Sequence, residues 1–163
     1  MIDTNIVIVL VEDNEDDQTL ATRALERAGV TNQVVVLEDG VQALSFFEEA
    51  GRPGSTDSER TYLVLLDLKL PRVGGLEVLR RLREDPRTRR IPVVVLTSSD
   101  EERDLVESYD LGANSYIRKP VDFAQFSEVI VQLGYYWLAL NRPSPGGLHE
   151  SLEPAGDALT TAH

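Results

Sequence analysis

Short apolar runs alternate with longer amphipathic ones along this chain. The runs Ile6–Val11, Val34–Leu37, Leu63–Leu66 and Val93–Leu96 are rich in Val, Ile and Leu and lack polar alternation. That is the pattern of strands buried on both faces of a parallel sheet. Ser115–Ile117 is a weaker fifth strand. Between the strands, apolar residues recur every three or four positions over Asp16–Ala28, Val41–Ala50, Leu76–Glu84, Asp100–Leu111 and Phe123–Leu140, which predicts five helices. Gly29, Gly51 and Gly112 follow three of them, while Asp85-Pro86 and Asn141-Arg142-Pro143 stop the other two. Strand followed by helix five times predicts an α/β fold, a doubly wound parallel sheet with right-handed crossovers. A polar loop, Arg52–Thr61, precedes the third strand, and beyond Asn141 the composition shifts to Pro, Gly, Ser and Thr. The expected organisation is one domain over residues 5–140 and a mostly disordered tail over 141–163.

Composition narrows the function. The chain has 163 residues, 42% of them hydrophobic, which fits one domain of roughly 120–150 residues and a tail. A formal net charge of -12 argues against nucleic acid and anionic membrane surfaces as partners, since both recruit clustered positive charge. No apolar run approaches the roughly 18–20 residues that span a bilayer, and the N-terminus lacks a basic segment that would open a signal peptide. The expectation is a soluble, cytoplasmic protein. There is no Cys, and the only two His lie at 149 and 163, so any chemistry must run on carboxylates, hydroxyls and a few cations.

In a doubly wound sheet the C-terminal strand ends share one edge, where such folds place their ligands. That edge collects Glu12 and Asp13 after the first strand, Asp67 after the third, Thr97 and Ser98 after the fourth and Lys119 after the fifth. Clustered carboxylates repel and raise one another's pKa. A hard divalent cation relieves this, and a sparse all-oxygen set suits Mg²⁺. Such a site supplies what phosphoryl transfer to a carboxylate needs: a nucleophilic Asp, a metal, and cationic and hydroxyl groups for the phosphoryl oxygens. Taken singly, each acid has a plainer role, and either Asp13 or Asn14 is placed to cap helix one.

Four ordered motifs now carry a resemblance. Val11-Glu12-Asp13-Asn14, Leu65-Leu66-Asp67-Leu68-Lys69-Leu70-Pro71 followed by Gly74-Gly75, Val95-Leu96-Thr97-Ser98 and Gly112-Ala113-Asn114-Ser115-Tyr116-Ile117-Arg118-Lys119-Pro120 resemble receiver domains of bacterial two-component response regulators. The resemblance implies a CheY-like, flavodoxin-like five-stranded sheet of order 2-1-3-4-5 flanked by five helices. It implies Asp67 as phosphorylation site, accepting from a sensor histidine kinase or a phosphotransfer protein. Asp13 would ligate Mg²⁺ directly, Glu12 through water, and Asp67 and the backbone carbonyl of Lys69 would complete the protein's share. Thr97 and Tyr116 would act as switch residues, Lys119 would contact a phosphoryl oxygen, and the Lys119-Pro120 bond would be cis at Pro120. Such a protein is no enzyme on a separate substrate and catalyses only its own phosphoryl transfer and dephosphorylation. The commonest receivers carry two Asp after strand one, whereas this chain has Glu12-Asp13. The side chains of Lys69 and Ser99 are expected to flank the path of hydrolytic water.

The last predicted helix runs for about 18 residues, roughly 27 Å, longer than a strand of five or six residues covers. Phe123, Phe126, Ile130, Leu133, Trp137 and Leu140 form its apolar seam, and its aromatic end, Tyr135 to Trp137, is expected to project. This helix, the loop before strand three and the lack of an output domain resemble the small response regulators associated with bacterial phytochromes. The implied partner is then a bacteriophytochrome kinase. A homodimer is expected through the helix 4, strand 5 and helix 5 face and the long last helix, with contacts at Phe126, Ile130, Tyr136 and Trp137. Arg80, Arg81, Arg83, Arg87, Arg89 and Arg90 cluster on helix three and its exit. Glu77, Glu84 and Asp85 balance them, so they read as a solvated face.

Two rival activities fit less well. A haloacid-dehalogenase-like phosphatase needs a second acid two residues after the nucleophile, where this chain has Lys69. A flavodoxin-like nucleotide binder needs a phosphate-cradling loop after strand one, where this chain has a Gly-free acidic run, Glu12 to Asp17. A receiver that works unphosphorylated, as a scaffold, is the remaining alternative.

Overall fold

The computed structural model describes residues 2–55 and 59–144. Five parallel strands, β1 (Ile6–Val11), β2 (Val34–Leu37), β3 (Thr61–Leu66), β4 (Val93–Thr97) and β5 (Ser115–Arg118), pair in the order β2-β1-β3-β4-β5. Five helices alternate with them: α1 (Glu15–Arg27), α2 (Gly40–Ala50), α3 (Gly75–Glu84), α4 (Glu102–Asp110) and α5 (Phe123–Tyr135). The expected order and element sequence are both present. Residues 141–144 form neither helix nor strand, and the expectation of a disordered tail otherwise falls on residues 145–163, outside the described residues.

Successive side chains of a strand point to opposite faces, and the central strands build two cores accordingly. Val7, Val9, Val11, Val64, Leu66, Val93 and Val95 pack with Phe47, Leu79 and Leu82 of α2 and α3. Ile8, Leu10, Leu63, Leu65, Val94 and Leu96 pack with Leu25, Phe126, Ile130 and Leu133 of α1 and α5. Continuous Val/Ile/Leu runs are thus buried on both sides in β1, β3 and β4. The expectation of double-sided burial does not hold for Val34–Leu37, which is only half-buried because β2 is an edge strand.

Helix starts are chemically marked. Asn14 Oδ1 accepts from Asp17 N at 3.0 Å, Asp39 Oδ1 from Gln42 N at 2.8 Å and Asp122 Oδ1 from Ala124 N at 2.8 Å, each holding an N–H that its helix leaves unpaired. The cap of α1 is therefore Asn14, which leaves Asp13 for other work. Gly29 and Gly112 take φ of +81° and +97° after α1 and α4, the left-handed turn in which glycine carries no Cβ penalty.

The end of α5 differs from expectation. Tyr136–Leu140 forms one wider π-helical turn, closed by Asn141 N donating to Tyr136 O at 2.6 Å. Leu138 is buried, Trp137 packs against the α1/α5 core, and Asp3 N donates to Leu138 O at 2.8 Å. The segment folds back onto the N-terminal strand region instead of projecting. The extra backbone residue in the turn rotates Leu138 onto the core while Tyr135, Tyr136 and Leu140 stay exposed.

The basic cluster on α3 is internally paired. Arg80 bonds Glu77 and Glu84, Arg81 bonds Glu77, and Arg87 bonds Asp85. Hydrogen bonds from Arg80 and Arg81 hold the Glu77 carboxyl down to about 2. Arg83 is structural: its guanidinium donates to Gly112 O, Arg89 O, Ile91 O and Asn114 Oδ1, tying α3 to the approaches of β4 and β5. Among the described residues no helix is long and apolar enough to cross a membrane.

Candidate functional site

Backbone hydrogen bonds continue the sheet ladders past the strand ends and so align the side chains there. Glu12 N donates to Leu37 O at 2.9 Å, Asp67 N to Val11 O at 3.1 Å and Lys119 N to Thr97 O at 2.7 Å. The result brings Glu12, Asp13 and Asp67 together, each offering a carboxylate oxygen within 4.8 Å of the others. Glu12 and Asp67 are buried and Asp13 is exposed, so the triad opens to solvent on the Asp13 side.

Asp67 is held at both oxygens. Thr97 Oγ1 donates to Oδ1 at 2.8 Å, Lys69 N donates to Oδ1 at 3.2 Å, and Lys119 Nζ donates to Oδ2 at 3.1 Å. The Lys119 ammonium also bonds Glu12 Oε1 and, at 2.9 Å, Asp17 Oδ2. Burial pushes the Glu12 carboxyl up to about 7 against the pull of Lys119. Burial lowers the Lys119 pKa, but the hydrogen bonds it donates to Glu12 and Asp17 and the charge of Asp67 outweigh it, so the net shift is upward. Lys119 is therefore a firm ammonium set among acids, an arrangement that attracts a further cation and can hold a phosphoryl oxygen.

A second polar cluster adjoins the first. Ser99 N donates to Thr97 Oγ1 at 3.3 Å, Tyr116 Oη donates to Ser99 O at 3.1 Å, and Ser99 Oγ donates to Asp104 Oδ2 at 2.6 Å. Lys69 Nζ lies 3.4 Å from the same Asp104 oxygen. Thr97, which touches Asp67, is thereby linked to Tyr116 and to the first turn of α4. Helix α4 docks by this polar side: Asp104 and Ser108 are its buried residues, while Leu105, Val106 and Tyr109 are exposed.

The Ser99 hydroxyl, with Lys69 adding, holds the Asp104 carboxyl below its ordinary 3.8. A depressed acid contributes stability that is present above its unfolded pKa and lost as pH falls through the folded value. Asp104→Asn is therefore expected to be less stable at neutral pH and to lose stability less steeply than wild type below about pH 4. Urea titrations across that range check this, and parallel slopes for the two proteins would reject it.

Three expectations need correction or extension. The Lys119-Pro120 peptide is trans, since no cis bond occurs among the described residues. The ladder bond from Lys119 N to Thr97 O is enough to aim the side chain, with the isomer that X-Pro bonds prefer by about 0.5–1 kcal/mol. Phe126 and Ile130 are not available as dimer contacts, because both are buried against α1 in the protomer's own core, and Trp137 is half-buried there. Of the four expected contacts only Tyr136 is exposed. Sequence reasoning missed Asp17 and Asp104. Asp17 lies in the first turn of α1, three residues after the Asn14 cap, and Asp104 precedes Ser108 by four residues within α4. The second spacing puts two polar groups on one helix face, the buried one.

Comparison with known proteins places the chain in a family. The family model described as the response regulator receiver domain matches residues 8–131. The chain is 42% identical over 143 residues to the probable methanogenesis regulatory protein FilR2 of Methanothrix harundinacea, covering 86% of this chain and 88% of that one. It is similar to the crystal structure of the phosphorylated cyanobacterial phytochrome response regulator RcpA, with 37% identity, TM-score 0.77 and coverage of 84% and 96%. It is likewise similar to the bacteriophytochrome response regulator AtBRR, with 48% identity, TM-score 0.60 and coverage of 83% and 97%. The strand order, the acidic triad and the Thr97 and Lys119 contacts to Asp67 thus meet a family match across most of the described chain: this protein belongs to the response regulator receiver family and is a CheY-like two-component signalling protein.

Proposed function

We propose that Asp67 is the phosphoryl acceptor of this regulator, taking its group from the phosphohistidine of a sensor histidine kinase or a phosphotransfer protein. The observation that carries this is Asp67 itself, buried at a strand end, bonded by Thr97 and Lys119 and grouped with two further carboxylates. An Asp67 carboxylate oxygen attacks phosphorus, the bond from phosphorus to the histidine nitrogen breaks, and the imidazole leaves with the electron pair, giving an acyl phosphate. Lys119 and Thr97 then turn from the carboxylate to the new phosphoryl oxygens.

The carboxylates of Glu12, Asp13 and Asp67, with the backbone carbonyl of Lys69, fit Mg²⁺. The set is all oxygen, small, and open to solvent at Asp13, which suits a hard cation that would keep part of its hydration shell. When bound, the ion neutralises charge that develops on the transferring group. Phosphorylation by acetyl phosphate, followed by intact mass with Mg²⁺ or with EDTA, tests both assignments. Adduct in Mg²⁺ alone supports them, and none in either condition, with cognate kinase also tried, overturns them.

The phosphoryl group carries close to two negative charges where the Asp67 carboxylate carried one, and so adds about one net charge and three acceptor oxygens. Thr97 hands that change to Ser99, and so to Tyr116 and α4, through the bonds described above. A near-complete switch requires that phosphorylation favour one state by about 5.5 kcal/mol. The similarity to phytochrome response regulators supports a phytochrome-type histidine kinase as partner, and a cytoplasmic location fits such a donor. The bond from Asp3 to Leu138 and the buried Leu138 support a receiver unit that reaches residue 140, beyond the family match.

Output through a second copy is the reading we favour. Leu105, Val106 and Tyr109 of α4, Phe123 of α5, and Tyr135, Tyr136 and Leu140 are large exposed hydrophobics on the α4-β5-α5 side and the π turn beyond it, a surface that association would cover. Light scattering at micromolar concentration is expected to give a dimer that Tyr136→Arg weakens. A wild-type monomer, with and without a phosphoryl mimic, would remove this reading.

A further inference from the structure

One acid at the site stands outside the carboxylate triad. Asp17 belongs to the first turn of α1, where negative charge is favoured by the helix dipole alone. Its neighbours Glu15 and Asp16 fit that role and are exposed. Asp17 is different: it is half-buried, and its Oδ2 receives a hydrogen bond from Lys119 Nζ at 2.9 Å, across 102 residues of sequence. The first turn is fixed in this pose from two sides. Asp17 N is bonded to the Asn14 cap, and Gln18 Nε2 donates to Glu12 O at 2.6 Å.

An ammonium has three donors, and those of Lys119 go to Glu12, Asp17 and Asp67. A cation at the triad and a phosphoryl group on Asp67 both act on the first and the last. Asp17 is the partner that neither touches. We propose that Asp17 is a positioning residue that holds Lys119 as its counter-ion beside the acceptor and sets how readily the site admits an anionic phosphodonor. This rests on the reading of Asp67 as acceptor. Four carboxylates surround one ammonium at this edge, and a divalent cation offsets only part of the excess. Asp17, the one acid of the four outside the triad, adds to the negative charge left over, which opposes an arriving phosphate, and its bond to Lys119 competes for the group that must meet a phosphoryl oxygen.

The test is the rate of phosphorylation against acetyl phosphate concentration at saturating Mg²⁺ for wild type, Asp17→Asn, Asp17→Ser and Asp16→Asn. Asn keeps an acceptor oxygen for Lys119 and removes the charge. Both Asp17 variants are expected to lower KM about three- to tenfold with kcat nearly unchanged, and the difference should shrink in high salt. Asp16→Asn removes the same net charge from an exposed position and should leave KM close to wild type. A purely structural role would move thermal stability without this split between KM and kcat. Equal KM in wild type and in a folded Asp17 variant, or equal decreases for Asp16→Asn and Asp17→Asn, would overturn the proposal. A wild type that takes no phosphoryl group from any donor would overturn the acceptor reading, and this proposal with it.

Discussion

Incubated with Mg²⁺ and a phosphodonor, the wild-type protein is expected to gain a single phosphoryl group, and Asp67→Asn none. The substitution is nearly isosteric and keeps one carbonyl oxygen for the Thr97 hydroxyl, now bonded to Asp67 Oδ1 at 2.8 Å, while giving up the Oδ2 that the Lys119 ammonium bonds at 3.1 Å. The fold should therefore persist while the nucleophile is gone, because an amide oxygen is too weakly basic to form the bond to phosphorus. The adduct should be cleaved by neutral hydroxylamine, which attacks the activated carbonyl of an acyl phosphate and leaves a phosphoserine intact. Equal adduct on Asp67→Asn would place the acceptor elsewhere. Buried Asp67 also costs Lys119 one of its partners when neutralised, so a small fall in stability, about 1 kcal/mol, is expected beside the complete loss of phosphorylation.

Gly75→Ala is expected to destabilise the protein by at least about 1–3 kcal/mol and to slow phosphorylation, although residue 75 touches no substrate. Gly75 opens α3 directly behind the acceptor, with its N–H bonded to Leu68 O at 2.9 Å. A Cβ there would lie 2.2 Å from Asp67 O and 2.6 Å from Leu68 Cα. Both are backbone atoms, so no rotamer change relieves the clash. Either α3 backs away from the sheet, opening the core under Val78 and Leu79, or the end of β3 shifts and carries Asp67 off the triad. For a chain of this size the loss corresponds to a fall in Tm of roughly 3–10 °C. A calorimetric Tm and the phosphorylation rate report the two effects separately, and a variant matching wild type in both would show that the packing behind Asp67 gives way more easily than its backbone contacts imply.

Much of this was readable before any coordinates. Continuous Val/Ile/Leu runs of four to six residues and amphipathic stretches closed by glycine or proline mark the elements to within a residue or two, the end of α5 excepted, because burial period and helix termination are local properties. Once the elements alternate as strand and helix, the strand ends must share an edge, so Glu12, Asp13, Asp67, Thr97 and Lys119 could be gathered into one site from their positions alone. The edge character of β2 could not, since which strand lies outermost depends on sheet order and not on its own four residues.

The elements, their order, the acidic edge and the family are thus contained in the linear pattern of residues. Tertiary packing alone decided which polar groups meet and which apolar groups stay out. Asp17 and Asp104 looked like ordinary first-turn acids until Lys119, Lys69 and Ser99 were brought to them from distant parts of the chain. Phe126 and Ile130 belonged equally to a seam for a second copy or to a core until α1 covered them. The run Tyr136–Leu140 read as a projecting helix until one wider turn swung Leu138 inward. In each case the choice lay with partners far apart in sequence, and the energy of a hydrogen bond or a buried side chain depends on the partner as much as on the residue.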